Sequence, residues 1–208
     1  MTLRKAILAV AALFALWVVA DLARPVSLHL RRFDPHEVAR LETGMWRDYY
    51  EHHPVKMFGL LGELLRRQYG MPFWRSWLGA YYAARSAVTF QRGRNRADYE
   101  RALPDLRRYY ALIRRGSDVP FDPDRAATSE LEWWIAHRER RADLVRTLAQ
   151  LQSDIFGLPP ERFQEHAEAR ARAMLLRDDK AAAISAEDWR QIGRWLDASW
   201  SSLHAAVQ

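Results

Sequence analysis

Two glutamates, Glu42 and Glu130, occupy positions where a carboxylate could act out of contact with water. Each ends a similar phrase, "FDPHEVARLE" from residue 33 and "FDPDRAATSE" from residue 121, and the two lie 88 positions apart. At about 100° of rotation per residue, each shares a helix face with the tryptophan four positions later, Trp46 or Trp134. Because an uncompensated carboxylate among apolar side chains costs several kcal/mol, each must be paired, hydrogen-bonded, protonated or bound to a metal.

The sequence offers several partners for these carboxylates. Arg85 falls on an apolar stripe with Trp74, Leu78 and Tyr81, so we expect it to face the interior and to form an ion pair with one of the glutamates. Tyrosine and histidine side chains on the same faces can supply further hydrogen bonds. The predicted buried polar cluster consists of Glu42, Tyr49, His53, Tyr81, Arg85, Glu130 and His137.

A dinuclear metal site of the ferritin-like kind is a second interpretation of the paired glutamates. Such a site needs Glu-x-x-His on two helices, and neither glutamate has a histidine three positions later. His53 and His137 follow their glutamates at distances of about 16 and 10 Å along a helix axis, too far for one coordination sphere. We therefore predict no metal and no cofactor, and we favour a structural network of Glu and Arg, with a ligand pocket as the alternative.

Composition excludes several classes of chemistry. The chain has no cysteine, which excludes disulfides, thiolate metal sites and cysteine nucleophiles. It also lacks a Walker motif, a dinucleotide fingerprint and a nucleophile elbow, so we assign no catalytic residue and favour a role other than catalysis. The net charge of +6 comes from 32 basic and 26 acidic residues that are interspersed, a pattern typical of a solvated surface rather than of a nucleic-acid site.

The amino terminus predicts attachment to a membrane. An uncharged apolar run over residues 6–20 follows Arg4 and Lys5, and we interpret residues 1–30 as a retained single-pass anchor and its linker, in contact with lipid. A basic leader usually stays inside, which places the remaining domain outside the cytoplasm at a bacterial inner membrane. The alternative is a signal sequence cleaved after Ala20, which leaves a periplasmic or secreted protein.

The rest of the chain, 31–208, predicts an all-α domain in which one helical unit occurs twice. "YGMP" at 69 matches "FGLP" at 156, and further matches support two repeats, 33–116 and 121–205. Since nothing like Pro54 interrupts the second copy, its first two segments could form one helix. We expect a pseudo-two-fold bundle, with an open solenoid as the alternative. The eight predicted segments are 35–53, 55–69, 72–92, 98–115, 123–140, 141–156, 160–179 and 186–205.

Three phrases, "LETGMWRDYYE", "ELEWW" and "ARARAM", resemble those of uncharacterised bacterial all-helical proteins over about half of the chain. The resemblance implies no activity. From the anchor, the many aromatic residues and the lack of a catalytic motif we expect a membrane-anchored interaction module, for example an accessory subunit with a protein partner in the membrane. The alternative is an enzyme or ligand carrier with a carboxylate-lined site between the repeats, whose small-molecule ligand the sequence does not identify.

Overall fold

The computed structural model describes residues 3–208, and this part of the chain contains α-helices and no β-strand. The all-α prediction is confirmed. Two short 3₁₀ segments cover Pro160–Phe163 and Ala181–Ala183. The α-helices are α1 Leu3–Ala23, α2 Pro35–Tyr50, α3 Pro54–Tyr69, α4 Phe73–Arg92, α5 Arg96–Glu100, α6 Leu103–Arg114, α7 Pro123–Arg138, α8 Leu144–Phe156, α9 Gln164–Lys180 and α10 Ala186–Ala206.

The two helices that carry the glutamates begin in the same way. Asp34 accepts hydrogen bonds from the second and third backbone N–H groups of α2 at 2.9 and 3.2 Å, and Asp122 does the same for α7 at 2.9 and 3.4 Å. A proline follows each aspartate, where its fixed φ suits the first helical position and its missing N–H costs nothing. The predicted starts of both helices are confirmed.

The start of α10 has a cap that α2 lacks. Ser185 and Asp188 form a reciprocal capping box at the start of α10. In α2, Glu37 occupies the position that could complete such a box, but both of its oxygens bond to Arg40 at 2.9 Å.

The helix ends also recur, at spacings of 88 and then 87 residues. Just beyond α2 and α7 the backbone turns through positive φ at His52 (59°) and Arg140 (49°). Beyond α3 and α8, Gly70 and Gly157 adopt the left-handed conformation that favours glycine, with φ of 71° and 67°. Because α7 ends at this turn and α8 begins after it, the alternative of one continuous helix in the second half is wrong.

The helices of the body close into a bundle. Contacts join α2 to α3, α3 to α4 and α4 to α6, and the same order recurs in α7, α8, α9 and α10. The last helix of each half packs on the first helix of the other, α6 on α7 and α10 on α2. This closure excludes an open solenoid, although the origin of the halves by duplication stays a prediction. Fully buried side chains in the core include Leu65, Leu106, Ile113, Leu131, Leu148, Ile192 and Leu196.

Helix α1 stands apart from the core. It is long and apolar enough to cross a membrane, and its carboxyl-terminal half packs on the body, against α4. The linker that follows is fixed, since the Leu28 N–H donates to the Gly116 carbonyl at 2.7 Å and the Asp118 N–H donates to the Leu28 carbonyl at 3.1 Å. Buried Leu28 and Leu30 thus tie the linker to the connection between the two halves.

Candidate functional site

Glu42 is buried in a complete set of hydrogen bonds. Its two oxygens accept from the two terminal nitrogens of Arg170 on α9, at 2.9 and 2.6 Å. One of them also accepts from the indole N–H of Trp200 on α10 at 2.6 Å. With 3% of its surface exposed, this carboxylate satisfies the requirement that a buried charge be paired in a bidentate geometry.

Aromatic rings surround the guanidinium of Arg170. Its central carbon lies 5.6 Å from the ring centre of Trp46, 5.9 Å from Trp133 and 6.0 Å from Trp200. Burial alone would lower the pKa of Arg170, but the adjacent Glu42 carboxylate raises that pKa above its usual value. This aromatic box therefore holds a permanent cation, and that cation is already paired.

Glu130 has a different environment. It accepts one hydrogen bond from the Tyr110 hydroxyl and one from the Trp134 indole, both at 2.8 Å. Within residues 3–208 it forms no ion pair. Burial raises the pKa of Glu130, while the nearby Trp133 indole, the bonds from Tyr110 and Trp134 and the charge of Arg170 lower it less. This carboxylate is thus hydrogen-bonded but lacks a cation of its own.

The two glutamates face one interior space that leads to the surface. An inner cavity of about 180 Å³ contains both carboxylates and Arg170 in its lining. A groove of about 300 Å³ continues from it and reaches Tyr49 and Val88, which are 38% and 44% exposed. The cavity and the groove share Glu42, Met45, Leu61, Ala83, Glu130, Trp133, Trp134 and Arg170, and the groove adds mainly apolar and aromatic side chains, including Trp46, Tyr50, Met57, Ala87 and Met174.

His166 lines the inner cavity and keeps one open nitrogen. Its Nδ1 lies 3.0 Å from the carbonyl oxygen of Ser199 and 2.9 Å from the Ser199 hydroxyl, and this hydroxyl lies 3.0 Å from the His166 carbonyl oxygen. Because the two carbonyls can only accept, Nδ1 donates to one, the hydroxyl donates to the other, and Nε2 is an acceptor. No residue of the described chain, 3–208, bonds to this buried Nε2. Burial lowers the pKa of His166 to about 4, and the imidazole is therefore neutral at pH 7.

The predicted ion pair between Arg85 and a repeat glutamate is wrong. Arg85 bonds to Asp105 on α6 at 2.6 Å and to the Tyr81 hydroxyl at 2.9 Å. Tyr81 is 46% exposed, so both residues lie on the outside of the bundle. The reason is the rotation of α4, which turns its small residues, including Ala83, toward the cavity.

The remaining members of the predicted cluster do not meet around the glutamates. Tyr49 and His137 line the outer part of the groove, and Nε2 of His137 lies 2.9 Å from Asp178. His53 lies beyond α2, with its side chain 46% exposed and 3.2 Å from Asp48.

A surface group at the end of α2 has the composition of a metal site. Ligand atoms of Asp48, Glu51 and His53 lie within 4.8 Å of one another. Glu51 is already paired with Arg47 at 2.7 Å, and none of these residues is buried. We interpret the group as a surface charge network and assign no metal to it.

Arg170, Tyr110 and Trp200 belong to the site but not to the cluster predicted from the sequence. Arg170 lies on α9 between Glu168 and Arg172. The Glu168 to Arg172 contact is present at 3.5 Å, but Arg170 points inward. A usable signal was present, because Arg170 falls between Ala167 and Met174 on a stripe with helical spacing, and both of these are buried.

No protein-family model, curated protein or solved structure matches this chain. The resemblance to bacterial all-helical proteins therefore stays a prediction, and a function has to be argued from the geometry of the site.

Proposed function

We propose that this chain is a membrane-anchored binding protein that holds a small ligand between the two halves of its helical body. The observation that supports this proposal best is the continuous space from the surface groove to Glu130. A well-packed structural core would be filled at this place. Here, a carboxylate without a cation faces a cavity whose outer part is apolar.

The shape and lining of the site support a ligand of modest size. Small-molecule sites typically have volumes of roughly 300–1,000 Å³ and combine apolar walls with a few converging polar groups. The groove, at about 300 Å³, lies at the lower end of that range. The converging polar groups are Glu130, the Glu42 to Arg170 pair and the open nitrogen of His166.

Contacts at the end of α1 support a retained anchor. Asp21 accepts from the backbone N–H groups of Trp74 and Arg75 at 2.7 and 3.2 Å, which caps the start of α4. The buried guanidinium of Arg75 in turn donates to the carbonyls of Leu22 and Arg24 at 2.9 and 3.0 Å. The proposed signal cleavage site, between Ala20 and Asp21, would lie inside this helix.

Aromatic packing on the amino-terminal side of the Ala20–Asp21 peptide bond also supports a retained anchor. The ring of Trp17 lies 5.1 Å from Trp74 and 5.7 Å from Phe73, and Phe14 lies 5.3 Å from Trp74. Cleavage after Ala20 would remove Phe14 and Trp17 and leave Phe73 and Trp74 without these neighbours. In our proposal α1 stays in the membrane, with its basic leader on the cytoplasmic side.

The binding function is tested by blocking the groove. We would purify the full chain in detergent and measure its unfolding temperature with hexylammonium, hexanol and hexanoate. We expect at least one of them to stabilise the wild type and to lose its effect in Ala87→Phe, which narrows the groove. Ala205→Phe, at an exposed position of α10, is the matched control and should keep the effect. If none of the three compounds stabilises the wild type, and Ala87→Phe is itself more stable than the wild type, the groove is a packing defect.

A second function, the interaction module, is favoured by an aromatic surface at the junction of α1 and α4. Phe14, Trp17 and Phe73 are 51%, 50% and 37% exposed, and contiguous exposed apolar surface marks contact sites. Chemical cross-linking in native membranes would test this candidate. A partner cross-linked through a photoreactive residue at position 17 would support it, whereas a chain that stays monomeric would count against it.

A further inference from the structure

The surroundings of the two glutamates differ at one matched position. At the spacing of 87 residues that relates Gly70 to Gly157, the fully buried Ala80 and Ala167 also correspond. In this register the counterpart of Arg170, the cation paired with Glu42, is Ala83. The half of the site that contains Glu130 thus has alanine where the other half has a guanidinium.

The hydrogen-bond donors around the glutamates do correspond. Trp200 donates to Glu42 from α10, and Tyr110 donates to Glu130 from α6. These donors stand 90 residues apart, near the 88 that separate the glutamates, and each reaches the carboxylate of the other half. Both carboxylates therefore have a matched neutral donor. They differ in the cation beside Glu42 and in the indole of Trp134, which donates to Glu130.

The space beside Ala83 is open. Ala83 lines both the inner cavity and the groove, and Glu130 does the same. Shortening arginine to alanine removes the volume of a guanidinium and two methylenes, and the interior retains a cavity at that place. The cavity is thus positioned to admit a group that occupies the place of the missing side chain.

The side chains that line the inner cavity can also carry one more negative than positive charge. The inner cavity is lined by two carboxylates, Glu42 and Glu130, by one guanidinium, Arg170, and by His166, which is neutral at pH 7. One negative charge is left over when both glutamates are ionised. A buried surplus charge is removed by binding a proton or by binding an opposite charge.

We propose that the site takes an organic cation, an ammonium or guanidinium group on an apolar tail, whose charge lies beside Ala83 and pairs with Glu130. This inference rests on the proposed binding function and names its ligand class. The apolar tail would lie in the groove against Met57 and Met174. An anion is disfavoured because it would add to the surplus negative charge.

Two further features of the cavity suit such a ligand. The rings of Trp133 and Trp134 line the space around Glu130, and the box around Arg170 shows that the Trp133 indole packs beside a cation. The Nε2 of His166, which has no hydrogen-bond partner anywhere in residues 3–208, offers a second acceptor for a ligand N–H group. Neither feature would favour a carboxylate or phosphate ligand.

The test compares ligands of equal length and different charge. Hexylguanidinium, hexylammonium, hexanol and hexanoate would be titrated into the detergent-solubilised full chain by calorimetry at pH 7.5. We expect the two cations to bind at least ten-fold more tightly than hexanol, and hexanoate not to bind. Cation binding should weaken as the pH falls through the pKa of Glu130, because protonation removes its charge. The titratable groups that face Glu130 are Glu42, Tyr69, Tyr109, Tyr110, His166 and Arg170.

Three variants and one control separate the effect of the Glu130 charge from the effect of the space beside Ala83. Glu130→Gln should lose at least ten-fold in affinity for the cations and leave hexanol unchanged, whereas Asp124→Asn, an exposed acid on the same helix, should change neither. Ala83→Leu should weaken all ligands by filling the space. Ala83→Arg should abolish cation binding, because its own guanidinium would pair with Glu130.

The outcomes distinguish this inference from the binding function on which it rests. Hexanol binding as tightly as the cations, with no effect of Glu130→Gln, would overturn the cation and keep the binding site. No binding of any of the four probes would overturn both. If Ala83→Arg does not fold, Glu130→Gln still decides the question, since its amide keeps the size of the carboxylate and circular dichroism verifies its fold.

Discussion

Glu42 and Glu130 occupy corresponding positions on α2 and α7 and show two ways to accommodate a carboxylate in a protein interior. Glu42 has a bidentate guanidinium and an indole donor. Glu130 has a hydroxyl and an indole donor and no cation. Because burying a charge is costly without an opposite charge, the first arrangement is self-sufficient and the second is open to a proton or a ligand.

This difference suggests a division of labour within one bundle. The pair of Glu42 and Arg170 joins α2 to α9 and, through Trp200, to α10, so it fixes three helices of the ring. Glu130 joins only α6 and α7, through Tyr110. A site that must change its contacts on binding is better placed in the less constrained half.

The largest loss of stability should come from removing the internal cation, Arg170. Arg170→Ala would leave Glu42 buried without an opposite charge, and breaking a buried pair in this way costs about 3–5 kcal/mol. Urea unfolding of the detergent-solubilised chain, followed by tryptophan fluorescence, would measure the loss. Arg172→Ala removes an exposed arginine from the same helix and should have no measurable effect. Similar results for the two variants would mean that the pair does not stabilise the bundle.

Lowering the pH should destabilise the half of the site that contains Glu42, because His166 becomes protonated. Its folded pKa of about 4 lies below the usual 6.5, so its contribution to stability is complete above pH 6.5 and is lost as the pH falls toward 4. The full contribution is on the order of 3 kcal/mol. The groups that face it are Arg170 on its own helix, Glu42 on α2 and Ser199 on α10.

The comparison of wild type with His166→Gln would isolate this contribution. The wild type should lose more unfolding free energy than the variant between pH 6.5 and 4, measured by urea titration at each pH. Parallel curves for the two proteins would show that His166 does not titrate in the interior. Glu130 contributes to both curves with the opposite sign, because its raised pKa favours the folded state at low pH. Subtracting one curve from the other cancels this contribution.

Replacing each glutamate by its amide tests the asymmetry directly. Glu42→Gln would leave Arg170 buried with an incomplete partner, and leaving a buried charged group unsatisfied costs about 1–3 kcal/mol or more. In Glu130→Gln the amide oxygen still accepts one of the two hydrogen bonds, and no cation is left without a partner. We expect the first change to destabilise the protein more than the second in the same urea assay. The reverse order would contradict the assignment of structural and binding roles.

The sequence predicted the fold of this chain well because its helix boundaries are marked locally. Asp34 and Asp122 with their prolines, and the left-handed Gly70 and Gly157, act within one helical turn. These signals do not depend on the neighbouring helices. The predicted segments accordingly agree with the observed helices, with α5 as a separate short helix before α6.

The orientation of α4 was harder to predict because two of its faces are plausible. The stripe with Trp74 and Tyr81 has the larger side chains, but the face that packs inward holds small residues such as Gly79 and Ala80. A Cβ at Gly79 would lie 2.9 Å from the Leu65 Cδ1 atom, so the absence of a side chain lets α4 approach α3 closely. The rotation of a helix about its axis is set by such contacts, and a hydrophobicity pattern does not contain them.

The smallest effect should come from Arg85, the residue that the sequence analysis had placed in the interior. Its guanidinium lies on the surface, and exposed ion pairs contribute little to stability. Its partner Asp105 is buried, but Asp105 also accepts a hydrogen bond from Arg108 at 3.0 Å. Arg85→Ala should therefore leave the urea midpoint close to that of the wild type, while the double variant Arg85→Ala with Arg108→Ala should lower it, because Asp105 then has no cation beside it. A large loss from Arg85→Ala alone would show that α4 is turned toward the interior in solution, and that Arg85 rather than Arg170 pairs with a glutamate.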